Sequence, residues 1–233
     1  MLHYIRKIPN KNPVIIHSDL LLFGKKILNK KIELKRILIK HFKKGFFIPA
    51  FNFGKKKTIR FDKFDHSMGA LTKIFINEKN TKRSLNPVHS YIYKNIKFDS
   101  NKYKNNSFGE KSIFNYFYQK KMLWINLGAS NDSSFTIFHH AEDICNVSYR
   151  KRISFKRKII NKKKIQIKYF YFARKKKLIY DNNKVVRIMI KNKILKEIIL
   201  KNNYIITYGN FVNILDFLVN KIKKNEKFLL KVN

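Results

Sequence analysis

His139 and Glu142 are the residues of this chain with the clearest potential for chemistry. They lie three positions apart in the segment 131–142, and on a helix this spacing places both side chains on one face. A histidine beside a carboxylate can take a proton from a nucleophile near neutral pH. A pair with this spacing also occurs on the surface of ordinary helices, so the spacing alone leaves both interpretations open.

The sequence around this pair predicts a strand, a turn and a helix. The apolar run from Met122 to Gly128 is typical of a buried strand that ends at a glycine. Residues 131–134 are Asn, Asp, Ser and Ser, whose side chains can accept hydrogen bonds from the free amides of a first helical turn. We therefore expect His139 and Glu142 on a helix that follows a buried strand.

A second strand–turn–helix pattern lies near the start of the chain. Residues 13–16 are typical of a short buried strand, the polar residues His17, Ser18 and Asp19 break it, and residues 20–44 have apolar positions at roughly helical spacing. Free amides at a helix N-terminus favour anions, and Ser18 adds a hydroxyl. The pattern therefore predicts either an anion site or a plain connection between two elements.

The rest of the chain continues this alternation of strands and helices. Further strands are expected over residues 45–51, 165–173 and 204–209, and further helices after Gly69, over 113–118 and over 211–224. Residues 185–200 fit either a helix or a strand–helix mixture, and the basic run 149–164 is typical of a solvated face or loop. This order predicts an α/β (or α+β) fold with a mixed sheet sandwiched by helices. The domain prediction is one domain, 1–233, with a possible smaller C-terminal subdomain over 151–233.

The charge of the chain is strongly positive. Lys and Arg number 53 against 14 Asp and Glu, a formal net charge of +39. Such a balance favours a nucleic-acid-binding protein, in which the cations would concentrate on one face. Here the lysines are spread along the whole chain and accompany many Ile, Asn, Phe and Tyr residues, as a bias toward A/T-rich codons would produce. We therefore consider nucleic acid an unlikely partner, although the charge attracts anionic ligands.

Several sequence features limit the possible classes. With one cysteine, Cys145, the chain can form neither an intramolecular disulfide nor a cysteine metal cluster, and we interpret Cys145 as a core thiol. We find no run of 18 apolar residues and no secretory signal in residues 1–13. These features predict a cytoplasmic protein without a membrane partner or a metal ion.

Several short motifs follow one another along the chain. They are His17-Ser18-Asp19-Leu20 with Gly24, Ile48-Pro49-Ala50-Phe51, Phe61-Asp62 through Gly69, Arg83-Ser84-Leu85-Asn86-Pro87 with Ser90, Phe108-Gly109 with Ser112, Leu127-Gly128, and Thr136 through Glu142 followed by Tyr149-Arg150. Their order resembles that of the aminoglycoside 3-N-acetyltransferase family. The resemblance runs from about residue 13 to residue 155 and is looser beyond. It implies an enzyme that transfers acetyl from acetyl-CoA to an amine on a sugar ring.

The resemblance also implies roles for individual residues. His139 is the expected general base and Glu142 its orienting carboxylate, with His140 and His89 as the next candidates for the base. The residues expected to bind acetyl-CoA are His17, Ser18, Leu20, Arg83, Ser84 and Thr136. A homodimer is possible. Two positions depart from the family pattern: Asn86 stands where a histidine is usual, and Asp19 stands where a second serine is usual. Because of these two departures, a family member that has lost its catalytic activity is an alternative.

The acceptor of the acetyl group is the least determined part of this prediction. Aminoglycosides are polycations and need acidic surroundings, which Asp62, Asp65, Glu110 and Asp143 could provide as a local pocket. The excess of basic residues instead favours a less cationic or an anionic amino sugar, such as a nucleotide-linked one. The partner is in either case a small-molecule amine, an amino sugar or an aminoglycoside.

Overall fold

The computed structural model describes residues 1–23, 29–53, 57–61, 69–161, 163–175, 177–200 and 204–231. Ten strands lie within these residues: β1 Val14–Ser18, β2 Phe46–Pro49, β3 Thr58–Arg60, β4 Lys82–Arg83, β5 Tyr91–Lys94, β6 Leu123–Leu127, β7 Arg150–Asn161, β8 Lys163–Arg174, β9 Lys196–Ile199 and β10 Ile205–Asn210. The α-helices of the same residues are α1 Leu2–Ile5, α2 Lys31–His41, α3 Gly69–Phe75, α4 Ile113–Gln119, α5 Asn131–Ser134, α6 Ile137–Ile144, α7 Asn182–Lys191 and α8 Phe211–Lys224, with a 3-10 helix at Leu20–Phe23.

A mixed sheet of seven strands forms the centre of the fold. Its strand order is β4-β5-β2-β1-β6-β10-β9. The three middle strands, β2, β1 and β6, run parallel, and the strands outside them pair antiparallel. Parallel strands need crossover connections, which the alternating helices provide. The predicted mixed sheet is thus confirmed, and the last third of the chain contributes β9 and β10 to it.

Helices cover both faces of this sheet because successive residues of its strands point to opposite sides. On one side, Ile15 and Trp124 pack in a cluster with side chains of α4, α6, α7 and α8. On the other side, Ile16 and Ile125 pack in a second cluster with side chains of α1, α2 and α3. The helices therefore sandwich the sheet, as predicted from the sequence. None of the described helices is long and apolar enough to cross a membrane.

A second sheet contains the basic run of the sequence. Strands β7 and β8 form a long antiparallel hairpin, and β3 joins β7 in parallel. Of the two interpretations of residues 149–164, a loop is therefore wrong, because residues 150–161 and 163–164 belong to strands, whereas a solvated face agrees with the exposure of their described lysines. Ile159 and Ile167 are buried in a small cluster with Val88, while most of the lysines of the hairpin are exposed.

Two predicted helix starts differ from the structure. The helical pattern of residues 20–44 corresponds to the 3-10 helix and to α2, which begins at Lys31. Residues 131–134 do not cap the helix of His139 but form α5, a helix of one turn. The residue that precedes α6 is Thr136, and its side chain makes no capping hydrogen bond.

Asn210 caps α8 as the sequence predicts, because its side chain accepts a hydrogen bond of 2.9 Å from the Val212 amide. We expect Asn210→Ala to lower the free energy of unfolding by about 1 kcal/mol, the usual cost of removing such a cap. Asn213→Ala is the matched control, because Asn213 is exposed inside the same helix. Urea denaturation of both variants measures the difference, and equal stabilities would contradict the capping role.

Candidate active site

Two adjacent parallel strands bring the site together. Strands β1 and β6 pair in register, with Ser18 opposite Leu127, so the segments that follow them leave the same edge of the sheet. The side chain of Asn126 holds the turn after β6, since it accepts from the Ala129 amide at 2.8 Å and donates to the Ala129 carbonyl at 2.7 Å. Helix α6 begins beyond this turn and carries His139 and Glu142.

His139 and Glu142 are in contact. The Nδ1 atom of His139 lies 2.9 Å from Oε2 of Glu142. The Glu142 side chain is completely buried, whereas that of His139 is 23% exposed. A buried carboxylate therefore holds one edge of an imidazole whose ring is still accessible.

Three further residues complete the surroundings of Glu142. Tyr149 and Tyr180 each donate a hydroxyl hydrogen bond to Oε1, at 3.0 and 2.7 Å. Nε of Arg150 forms an ion pair with Oε2 at 2.9 Å, and its guanidinium also donates to the Phe172 carbonyl and to the Tyr180 hydroxyl. Both carboxylate oxygens thus have partners, as a buried charge requires. We call Glu142, Tyr149, Arg150 and Tyr180 the carboxylate cluster.

The charges of this cluster act on the proton affinities of both residues. Burial alone would raise the pKa of Glu142, but hydrogen bonding to His139, the positive charge of Arg150 and the Tyr180 hydroxyl lower it overall. The pKa of His139 is also lowered, primarily by burial and further by Arg150 and Arg174, although Glu142 opposes this shift. The expected state near neutral pH is therefore an ionised Glu142 beside a neutral His139.

The two alternative histidines are less suited to accept a proton. Nδ1 of His140 accepts a hydrogen bond of 3.1 Å from the Gly109 amide, and burial lowers the pKa of His140 to about 3. His89 is 1% exposed, and neither of its ring nitrogens has a hydrogen-bond partner among the described residues. Burial and the nearby His139 lower the pKa of His89 to about 3 as well. Both histidines therefore stay neutral.

The residues expected to bind acetyl-CoA fall into two groups, of which the first lies at the edge of the sheet beside α6. Ser18 is half-buried at the end of β1, Leu20 is buried two residues later, and Thr136 is buried at the position before α6. His17 is buried, with its ring 5.9 Å from that of Trp124, and burial lowers the pKa of His17 to about 3. His17 is thus an uncharged neighbour of the core, and Ser18 offers the more accessible hydroxyl.

The second group, Arg83 and Ser84, forms hydrogen bonds with other residues of the chain. Arg83 donates to the Ala50 carbonyl at 2.7 Å and to the Ser90 hydroxyl at 3.1 Å. The Ser84 hydroxyl accepts from the Tyr91 amide at 2.8 Å. These contacts give both residues a structural role, and their predicted part in cofactor binding remains a prediction.

The two departures from the family pattern also have local roles. The side-chain oxygen of Asn86 accepts from the amides of Val88 and His89, at 3.0 and 2.8 Å, and so holds the turn that carries His89. The carboxylate of Asp19 accepts from the Leu21 amide at 3.1 Å, at the start of the 3-10 helix. Each residue replaces the usual one with a side chain that bonds to the adjacent backbone.

Of the acids expected to bind the substrate, Asp62 and Asp65 lie outside the described residues. Glu110 is exposed. Asp143 is buried and forms an ion pair with Arg152 at 2.7 Å, and its oxygen lies so close to Gly109 that a Cβ there would clash. Burial raises the pKa of Asp143 despite this arginine. The charge of Asp143 is therefore already balanced within the protein.

No sequence pattern assigns a chemical role to Tyr149, Arg150 or Tyr180. Tyr149 and Arg150 were part of the motif order, but Arg150 stands in a dense basic run where charge alone does not distinguish it. Tyr180 lies 38 residues beyond Glu142, and its spacing carries no local signal. Cys145 is partly buried against the core, where burial raises its thiol pKa.

Comparisons with known proteins give the family and the fold of the chain. The sequence profile of the aminoglycoside 3-N-acetyltransferase family matches residues 50–209. The chain belongs to this family. Its members are N-acetyltransferases, so the class of enzyme inferred from the motif order is confirmed. A comparison with curated protein sequences gave no match.

Several solved structures share the fold at low sequence identity. Aminoglycoside acetyltransferase AAC(3)-Xa has a TM-score of 0.78 at 14% identity, over 98% of this chain and 92% of that one. A mutant of AAC(3)-IVa in complex with a gentamicin has a TM-score of 0.75 at 12% identity, over 99% of this chain and 88% of that one. AAC-IIIb in a binary complex with CoASH has a TM-score of 0.72 at 13% identity, over 95% and 92%.

Proposed function

We propose that this protein is an acetyl-CoA-dependent N-acetyltransferase in which His139 is the general base. The observation that carries the proposal is the contact between an accessible imidazole and a fully buried carboxylate with partners on both oxygens. Family membership supports the reaction class, and the neighbours crystallised with CoASH and with a gentamicin support the two kinds of substrate. Acetyl-CoA supplies the activated acetyl group.

The role of His139 follows from the chemistry of amines. An amine arrives mostly as ammonium and must lose a proton before its nitrogen can attack a thioester carbonyl. With Nδ1–H donating to Glu142, the lone pair of His139 lies on Nε2, which can accept this proton. Glu142 then stabilises the imidazolium that forms, as a carboxylate does for a catalytic histidine.

Arg150 has a positioning role in this mechanism. Its Nε pairs with the carboxylate oxygen that Nδ1 of His139 also faces, and its Nη2 lies 2.8 Å from Nδ1. Because the Nδ1 proton points to Glu142, Nη2 acts on His139 through its charge and not as a hydrogen-bond donor. The positive charge lowers the pKa of both neighbours, so that Glu142 stays ionised and His139 stays neutral between turnovers. A base must be unprotonated when the substrate arrives, so this charge favours the reactive state.

Binding of acetyl-CoA tests the proposal without knowledge of the acceptor. By calorimetry we expect binding to the wild type and to His139→Asn with similar affinity, since the general base is not needed to hold the thioester. Ser18→Ala should weaken binding by at least about tenfold, because a hydrogen bond to a charged group contributes about 1.5–3 kcal/mol. Ser154→Ala, at an exposed position of β7, is the matched control.

Two results would contradict parts of the proposal. If the wild type fails to bind acetyl-CoA at low salt, where the positive charge of the protein favours an anionic ligand, it is not an acetyltransferase of this type. If Ser18→Ala and Ser154→Ala bind equally to the wild type, the cofactor does not contact the edge of the sheet at Ser18.

A further inference from the structure

A cleft of about 490 Å³ lies between the segment after β2 and the inner face of the β7–β8 hairpin. We call it the hairpin cleft. Its lining includes Phe53, Lys57, Phe155, Lys156, Arg157 and Tyr171. A volume of this size accommodates a typical small-molecule ligand.

The charge of the hairpin cleft is positive. Lys57, Lys156 and Arg157 contribute three cations to it, and the described part of the lining contains no carboxylate. Arg157 also donates to the Asn52 carbonyl at 3.1 Å, which fixes its guanidinium beside the cleft. These walls repel a polycation and attract an anion.

The hairpin cleft also carries exposed aromatic surface. Phe53 is 66% exposed and Phe155 is 45% exposed, although both are large apolar side chains. The ring of Phe155 stacks on that of Tyr169, with 5.7 Å between centroids. Exposed aromatic faces beside cations are the usual surroundings of a nucleobase that is joined to phosphate.

A short series of ring contacts connects the hairpin cleft to the general base. Tyr171 lies on the cleft wall, and its ring centroid is 5.8 Å from that of Phe108. The Phe108 ring in turn lies 5.9 Å from the imidazole of His139. Phe108 is 4% exposed, so these rings form a packed wall, and a ligand with an anionic group in the cleft and a reactive group near His139 must extend over this wall.

We infer that the hairpin cleft binds the acceptor, and that the acceptor is an amino sugar linked to a nucleoside diphosphate. The base stacks on Phe155 or Phe53, the diphosphate lies between Lys57 and Lys156, and the sugar amine extends past Tyr171 to His139. This inference rests on the proposed function, because it names the acceptor of the same reaction. It assigns to this chain an anionic substrate, whereas an aminoglycoside is a polycation.

The test compares acceptors of different charge on the full chain. UDP-glucosamine, glucosamine and gentamicin are offered with acetyl-CoA, and thiol release is followed with a chromogenic disulfide. UDP, GDP, CDP and dTDP are titrated separately by calorimetry to measure binding without turnover. We expect nucleoside diphosphate binding, and kcat/KM for UDP-glucosamine at least about tenfold above that for either other amine.

Charge reversal in the cleft provides the matched comparison. Lys57→Glu with Lys156→Glu should lower nucleoside diphosphate affinity by about tenfold or more and leave the KM for acetyl-CoA within about twofold. The control is Lys191→Glu with Lys196→Glu, which changes the charge equally at exposed positions of α7 and β9 outside the cleft. The control should bind nucleoside diphosphates like the wild type.

The possible outcomes separate this inference from the proposed function. A preference for gentamicin would overturn the anionic acceptor and uphold the acetyltransferase. A raised KM for acetyl-CoA in the cleft variant would also overturn it, because the cleft would then hold the phosphates of the cofactor. Absence of nucleoside diphosphate binding at millimolar concentration, with acetyl-CoA binding intact, overturns the inference alone. Failure to bind acetyl-CoA contradicts the proposed function itself.

Discussion

His139→Asn is expected to lower kcat/KM for amine acetylation by about 10³-fold at pH 7, while the protein remains folded and still binds acetyl-CoA. The loss corresponds to the removal of a general base, which typically contributes 10²- to 10⁴-fold. Asparagine keeps a donor that can face Glu142, so the buried carboxylate is not left without a neighbour at this position. The measurement is thiol release with the best acceptor of the panel, at saturating acetyl-CoA.

The pH dependence of the same variant distinguishes a lost base from a damaged fold. The activity of the wild type should fall on the acid side as His139 becomes protonated, and this fall should lie below pH 6.5 because the pKa of His139 is lowered from its usual value. In His139→Asn the acid limb of His139 should disappear, and the residual rate should rise with pH as more amine loses its proton to water. A wild-type rate in the variant, or an unchanged acid limb, would exclude His139 as the base.

Local sequence patterns were sufficient to predict much of the central sheet. The run 122–128 became β6 and residues 204–209 became β10, because a short apolar run that ends at a polar turn or glycine has few other compact conformations. The spacing of His139 and Glu142 likewise predicted a shared helical face, since three residues advance the helix by almost one turn.

The β7–β8 hairpin could not be predicted from local sequence patterns. In β7 the residues that line the cleft are both apolar, Ile153 and Phe155, and basic, Lys156 and Arg157, so the alternation of a half-buried strand is hidden. Its register is determined by β8, in which Tyr169 and Tyr171 face Phe155 and Ile153. A strand that carries charges on both faces is recognisable only through its partner.

The carboxylate cluster could not be predicted from local sequence patterns either. Glu142 lies on a helix, Tyr149 and Arg150 lie at the start of a strand in the other sheet, and Tyr180 precedes α7. Only the tertiary fold brings these residues together. The sequence could therefore identify the pair that carries the proposed chemistry but not the residues that control its charge.

Arg150→Met is expected to lower the free energy of unfolding by about 3 kcal/mol at pH 7, because it leaves a buried carboxylate without its arginine. Although burial opposes its charge, Arg150 has a pKa above the usual value since Glu142 stabilises the cation. Methionine keeps the apolar stem but removes the ion pair and the bond of 2.6 Å to the Phe172 carbonyl. Urea denaturation measures the loss.

The matched control for this variant is Arg152→Met. Arg152 lies two residues along the same strand and also pairs with a buried acid, Asp143, at 2.7 Å, but its own side chain is 56% exposed. Water screens the exposed guanidinium, and Asp143, whose pKa burial already raises, can bind a proton when the arginine is removed, so the control should lose less, about 1 kcal/mol. Equal losses in the two variants would show that burial of the arginine does not determine the cost.

A second measurement on Arg150→Met separates a positioning role from a merely structural one. The charge of Arg150 lowers the pKa of His139, so its removal should raise that pKa, and Glu142 then stabilises the imidazolium without competition. The acid limb of kcat/KM should therefore move to higher pH, and the His139 ring signal should titrate at higher pH in proton NMR. A variant that loses stability and rate with no movement of this limb would assign Arg150 to the fold alone. Movement toward higher pH would mean that the cluster maintains the general base in its neutral form.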